Sequence, residues 1–261
     1  MLLAIDIGNS NIVMGLHGGS GWIKQWRIHT DHNKMPDEYA VLLRDILREE
    51  QIPREAIDTT VISSVVPQLT EKLREVSSTL TGREPLIVGP GIKTGIKIRT
   101  DNPGEVGTDL VCNAVAAYER VQGNCIVVDF GTALTFTAVG EPGELLGVAI
   151  APGIQAAAEA LSASTAQLPQ VWLQKPEHAI GKNTTQSIRS GVILGYTGLV
   201  EGIIARMRAE MGGDATVIAT GGRATVISPL TESFTVVEPW LILEGLRLIA
   251  ERNRRTGQTT V

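Results

Sequence analysis

The chain has 261 residues, 43% of them hydrophobic and 20% charged, with a formal net charge of −5. That length supports one large domain or two modest ones around a core that needs no metal or disulfide staple. The acidic balance argues against sequence-independent nucleic-acid binding, which requires a basic face, while leaving room for a local basic phosphate pocket. Two cysteines, Cys112 and Cys125, are too few for a disulfide framework, and their apolar neighbours mark them as buried thiols of a reducing compartment. No run of about 20 apolar residues reads as a membrane span. Met1 leads straight into an apolar strand with no basic segment before it, so the expected location is cytoplasmic.

In chain order, residues 2–7 (LLAIDI) read as a buried strand. Residues 9–16 and 21–28 follow as two more, joined by the His-Gly-Gly-Ser-Gly turn at 17–21, which gives a β-meander. Residues 36–50 predict a helix: Pro36, Asp37 and Glu38 mark its start, and Tyr39, Leu42, Leu43, Ile46 and Leu47 make one apolar face. A strand at 59–66, a helix from Pro67 to about Thr79 and a short strand at 86–88 come next. Residues 89–105, rich in Gly, Pro and basic side chains, read as an irregular segment of the kind that carries function. A helix is expected over 106–121.

The second half repeats the plan. Strands are expected at 126–129, 135–139 and 145–150, helices near 152–162, 184–210 and 240–254, and a strand at 215–220. The glycines at 191, 195, 198 and 202 are expected to break the 184–210 helix, and its glycine face suits either packing within the chain or a dimer contact. The polar end from Arg252 is expected to fray. No low-complexity linker divides the halves, so the boundary is placed in Val121–Asn124, giving lobes of 1–121 and 122–261.

One motif occurs twice. Asp6, Gly8 and Asn9 follow the first apolar run, and Asp129, Gly131 and Thr132 follow an equivalent run in the second half. A strand that ends in a carboxylate and turns on Gly brings backbone N–H groups and a metal-binding oxygen up to a phosphate. Alone, each copy also reads as a tight hairpin turn. Together they point to a duplicated α/β fold of two ribonuclease H-like lobes, each a mixed sheet with flanking helices, with a nucleotide cleft between them. The polar cluster Asn9, Ser10 and Asn11 supplies hydrogen-bonding groups for phosphate, and Asp6 suits Mg2+, which uses one or two carboxylates plus the phosphates. Gly221 and Gly222 end a strand and allow adenine to approach the backbone, although a simple strand-to-helix turn reads the same way. Asp109 sits in the first turn of a helix, where a carboxylate either complements the helix dipole or serves as a general base. No P-loop and no protein-kinase signature is present, and the four histidines and two cysteines show no metal-ligand spacing.

The order of these motifs resembles the type III pantothenate kinase family, within the acetate kinase/Hsp70/actin superfamily. D-x-G-N-S at the start, N-P-x-x-V-G-x-D, D-x-G-T-A-x-T, A-P-G and G-K-N-T all occur, over nearly the whole chain. The resemblance implies ATP-dependent phosphorylation of pantothenate to 4'-phosphopantothenate, the first step of coenzyme A biosynthesis, by a homodimer that uses Mg2+ and a monovalent cation, K+ or NH4+. Residue by residue, it assigns the first phosphate loop to Asp6, Ile7, Gly8, Asn9, Ser10, Asn11, Ile12 and Val13. It makes Asp109 the catalytic base, Gly107, Thr108, Asp109 and Leu110 the pantothenate-contacting stretch, and Thr184 a further pantothenate contact. Asp129 corresponds to the monovalent-cation carboxylate and Thr132 to an ATP contact. Three positions depart from the family pattern: Leu110 stands where an Arg is usual, Thr100 at the substrate position of a Tyr, and Thr137 in place of an Asp. Leu110 and Thr100 leave open a superfamily kinase for another small hydroxylated substrate. A nonenzymatic nucleotide-binding regulator and a phosphate-ester hydrolase also fit such a fold.

Overall fold

Leu2–Ile7 is buried along its whole length, the pattern of a central strand covered on both faces. In the computed structural model, which describes residues 1–165 and 168–254, it is β1, the middle strand of a five-stranded sheet. β2 (Asn11–His17) and β3 (Trp22–His29) extend that sheet antiparallel on one side. After α1 (Pro36–Glu49), β4 (Thr59–Ser64) pairs parallel with β1 on the other side. α2 (Pro67–Thr81) leads to β5 (Leu86–Ile87), giving the order β3-β2-β1-β4-β5. Residues 89–105 are irregular apart from β6 (Lys97–Ile98) and a single turn of 3-10 helix at Pro103–Glu105. α3 (Thr108–Val121) starts two residues later than its apolar pattern suggests, because the preceding Gly107 and Val106 are spent on the turn into it.

The second sheet repeats the first. β7 (Cys125–Phe130), β8 (Ala133–Gly140) and β9 (Glu144–Pro152) form an antiparallel meander. Past α4 (Ile154–Ala163) and α5 (Thr184–Glu210), β10 (Thr216–Thr220) pairs parallel with β7. α6 (Ala224–Ile227) and β11 (Val236–Val237) follow, and α7 (Leu241–Arg254) closes the described chain. The order β11-β10-β7-β8-β9 matches that of the first sheet, with β6 added at the β9 edge. This duplicated mixed-sheet topology is the two-lobed α/β class expected from the repeated motif.

By their contacts the residues form two compact units. Unit 1 holds Met1–Ile96, Asn102–Ala116 and the described part of Ile242–Val261; unit 2 holds Lys97–Asp101 and Ala117–Leu241. Neither is one uninterrupted stretch of the kind a single boundary at 121/122 describes. In unit 1, Leu3, Ile5, Ile7, Ile12, Met14 and Leu16 pack beneath Tyr39, Leu43 and Leu47 of α1 and Leu69, Leu73, Val76 and Leu80 of α2. In unit 2, Ile126, Val128, Phe130, Leu134 and Phe136 pack against α4 and α5. Each fully buried aliphatic or aromatic side chain contributes about 1.5–3 kcal/mol.

Three expectations change. α5 is one continuous helix of 27 residues, not broken at its glycines. Ile188, Ile193, Thr197, Val200 and Ile204 fall on one buried face, and Asn183 caps the start by accepting from the Gln186 N–H at 2.9 Å. This packing offsets a glycine cost of about 1 kcal/mol each. Second, α5 is long and apolar enough to cross a membrane by length and composition, with a mean hydropathy of 1.3, although Arg189 and Glu201 interrupt its apolar residues. Third, Arg252–Arg254 remain helical rather than frayed; the rest of that polar end, from 255, lies outside the described residues. Both thiols are buried as expected. Burial pushes Cys125 up to about 12.

Candidate functional site

Asp6 is the fifth residue of β1, registered against Val13 of β2 and Ser63 of β4, and only 8% exposed. The chain then turns. The Gly8 N–H donates to the Asn11 carbonyl at 3.0 Å, leaving Asn9 and Asn11 exposed and Ser10 half-buried above the buried Ile7 and Ile12. Val13, half-buried, continues β2. A residue that sequence reasoning passed over holds this turn in place. Thr30, 3% exposed at the end of β3, donates its hydroxyl to the Gly8 carbonyl at 2.7 Å and its N–H to the Ser10 carbonyl at 3.0 Å. Only the strand pairing that brings residue 29 opposite residue 11 reveals it.

Asp109 lies in the first turn of α3, half-buried. Its Oδ1 accepts from the Leu110 N–H at 2.8 Å. The carboxylate folds back so closely that a Cβ on Gly107 would stand 2.4 Å from Oδ1. Gly107 therefore leaves the space that the Asp109 carboxylate fills. Burial raises the Asp109 carboxyl above the ordinary 3.8, against the lowering effect of the Leu110 and Asp109 backbone N–H groups. Next to it, Cys112 is fully buried. Burial first, then the Asp6 and Asp109 carboxylates, hold its thiol well above its ordinary value, with the Ser63 hydroxyl acting the other way. Ser63 is registered against Asp6 and lies 2.9 Å from Thr108, the residue before Asp109, so Asp6, Ser63 and Asp109 share one neighbourhood at the carboxyl ends of β1 and β4. Thr108 faces β4: its Oγ1 lies 2.9 Å from Ser63 Oγ and 3.1 Å from the Ser64 carbonyl, and accepts from the Ser64 N–H at 3.2 Å.

Unit 2 gathers a second group. Asp129, the fifth residue of β7, is registered against Thr135 of β8 and Thr220 of β10. Gly221 has a φ of +87°, and a Cβ there would meet Asp129 Oδ1 at 2.4 Å and the Phe130 backbone at 2.8 Å. The turns at 129–132 and 220–222 are thus packed on one another, with Thr132 and Gly222 exposed beside them. Thr100 follows β6, and its Oγ1 is buried without a hydrogen-bond partner. Thr184 opens α5 on the rim of a groove of about 470 Å³ that Leu161, Ile188, Val192, Tyr196 and Leu199 also line. In this way the structure joins Asp6 with Asp109, and Asp129 with Gly221, while Thr184 lines the groove along α5.

Comparison with known proteins gives the family. The type III pantothenate kinase family matches residues 2–206. The chain belongs to that family. It is 50% identical over 253 residues to the type III pantothenate kinase of Moorella thermoacetica, covering 97% of this chain and 100% of that protein. It is 47% identical over 256 residues to that of Geotalea uraniireducens, covering 98% and 100%. Among solved structures, a conserved Campylobacter jejuni protein described as a Baf family transcriptional activator superposes with a TM-score of 0.61 at 19% identity, covering 97% of this chain and 99% of that one. At that identity the likeness concerns the fold alone.

The expectation that the Gly8–Asn11 turn holds the nucleotide makes Thr30 testable. Thr30→Val removes the hydroxyl beneath it at nearly constant volume. A lost hydrogen bond of about 1 kcal/mol corresponds to roughly a fivefold rise in KM for ATP. Steady-state kinetics at saturating acceptor should show that rise, and an unchanged KM would remove Thr30 from this supporting role.

Proposed function

We propose that this chain transfers the γ-phosphoryl group of ATP to the primary hydroxyl of pantothenate, giving 4'-phosphopantothenate and ADP. The observation that carries the reading is the Asp109 carboxylate. It is half-buried and held more basic than a free aspartate, beside the strand end that bears Asp6, in a chain of this family. With Oδ1 occupied by the Leu110 N–H, Oδ2 is the oxygen that orients the acceptor hydroxyl and takes its proton as the new O–P bond forms. The γ-phosphoryl leaves ADP and needs little from the protein beyond alignment and charge neutralisation. In unit 1 the exposed Asn9 and Asn11 and the half-buried Ser10 offer hydrogen bonds to phosphate oxygens; in unit 2 the exposed Thr132 offers another, and Gly221–Gly222 a bare backbone that suits adenine.

Among the described residues, no three His, Cys, Asp or Glu side chains converge on a metal position. Mg2+ takes one or two carboxylates plus the phosphates, and Asp6 is the residue that would hold it. When bound, the ion neutralises phosphate charge. Asp129, lying on Gly221, is the carboxylate for a monovalent cation, K+ or NH4+. Thr100, in unit 2, is proposed as a substrate contact. Its buried, unpartnered hydroxyl gains a hydrogen bond when a polar substrate group binds. Leu110 gives no charged group at its position, so the acceptor carboxylate is held elsewhere or through solvent. Leu110 is the feature that keeps another hydroxylated acid in view as acceptor.

The α5 glycines bear on assembly. A Cβ on Gly191, Gly195 or Gly198 would meet nothing within 4 Å, so no neighbour among the described residues explains them. They share an exposed face with the groove at Thr184, and we assign that face to a homodimer contact of a cytoplasmic enzyme rather than to a lipid-facing surface. Static light scattering should give twice the 27.9 kDa chain mass. A monomer at micromolar concentration would rule the dimer out.

Asp109→Asn tests the chemistry. With saturating pantothenate and Mg-ATP, kcat should fall about 10²-fold or more, the scale of a lost general base, while KM for ATP stays near the parent value. The parent enzyme should also turn over faster in K+ or NH4+ than in Na+. A near-normal kcat in Asp109→Asn would take the base role from Asp109.

A further inference from the structure

The geometry points to Ser63 and Thr108 as positioning residues that act on the reaction through Asp109, with the Thr108 side chain serving the fold of the site rather than the substrate. This inference rests on the reading of Asp109 as the base. A threonine hydroxyl has one proton to give and two lone pairs to receive. In Thr108 all three are used. Its proton goes to the Ser64 carbonyl, 3.1 Å away, because a carbonyl can only accept. It receives the Ser64 N–H at 3.2 Å. The remaining contact, 2.9 Å to Ser63 Oγ, must then carry the Ser63 proton toward Thr108. Nothing is left on the Thr108 hydroxyl for an acceptor molecule.

The latch fixes the helix that carries the base. Thr108 and Cys112 are four residues apart on α3, hence on one face, and Ser63 hydrogen-bonds Thr108 on that face. Ser63 is fully buried and sits opposite Asp6 in the β1–β4 register. One side chain therefore ties the strand end bearing Asp6 to the first turn of the helix bearing Asp109. Asp109 is the next residue after Thr108, and its carboxylate is aimed by the Gly107 gap and the Leu110 N–H. Releasing the first turn of α3 would move that carboxylate. A displacement of about 1 Å at a reacting group is enough to cost about 10²-fold in rate.

Thr108→Val, Thr108→Ser and Ser63→Ala, each alone and in the Asp109→Asn background, test this by pantothenate-dependent ADP release. Thr108→Val keeps the volume and loses the hydroxyl; its kcat should drop at least about tenfold with KM for ATP unchanged. Thr108→Ser restores the hydroxyl and should restore kcat to within about twofold of the parent, an order of magnitude above the valine variant. In the Asp109→Asn background, Thr108→Val should have no further effect, because the latch acts through the missing carboxylate. A drop in residual turnover there equal to that in the parent would show a general structural role and overturn the inference. So would parent-like kcat in Thr108→Val. If Thr108→Val does not fold, Ser63→Ala carries the test: it removes one of the three latch contacts, and should lower kcat in the parent and leave Asp109→Asn unchanged. Parent-like kcat in Ser63→Ala would then overturn the inference. A parent enzyme without pantothenate-dependent turnover would instead overturn the functional reading on which the inference stands.

Discussion

A carboxylate at the end of a covered central strand is the constraint around which each unit is arranged. Burying a carboxylate is costly unless polar partners surround it, so the residues after Asp6 and Asp129 must turn at once and present polar groups. Gly8 and Gly131 allow the turns. The residues just past the neighbouring strands then supply the support: Thr30 after β3 beneath the first turn, and Gly221 after β10 against the second carboxylate. The same topology places Ser63 of β4 beside Asp6 and Thr220 of β10 beside Asp129. Each unit thus meets one problem with equivalent strands and different side chains.

The difference between the two copies gives each its chemistry. In unit 1 the position beside the carboxylate is a serine, and its hydroxyl reaches α3. That contact brings a second carboxylate, Asp109, into the neighbourhood of the first. In unit 2 the strand continues into Gly-Gly, whose bare backbone packs against Asp129 and leaves an open turn.

Much of this was legible in the sequence, for identifiable reasons. The repeated strand-Asp-x-Gly pattern revealed the duplicated sheets, since both the apolar runs and the turn residues have local causes. The apolar spacing Tyr39, Leu43 and Leu47 placed α1 to within one residue of its observed end. What could not be read depends on partners distant in sequence. Thr30 looks like an ordinary strand-end residue until β3 pairs with β2. Thr108 reads as a substrate contact from its motif, and its three contacts to β4, 44 and 45 residues away, exist only in the folded chain. The membership of α7 in unit 1 has the same origin. The continuity of α5 was missed because glycine propensity was weighed without the buried face that overrides it.

The central claim is that these two carboxylate-bearing units form a kinase for pantothenate, despite Leu110 and Thr100 at the positions of a usual Arg and Tyr. The most direct measurement is ADP release from Mg-ATP, with pantothenate and, in parallel, with a panel of other small hydroxylated carboxylic acids and sugars. The account predicts ADP release that depends on pantothenate, with stoichiometric 4'-phosphopantothenate by mass spectrometry and no comparable turnover on the other acceptors. A folded protein that binds ATP, ignores pantothenate and phosphorylates another acceptor, or none, would contradict it.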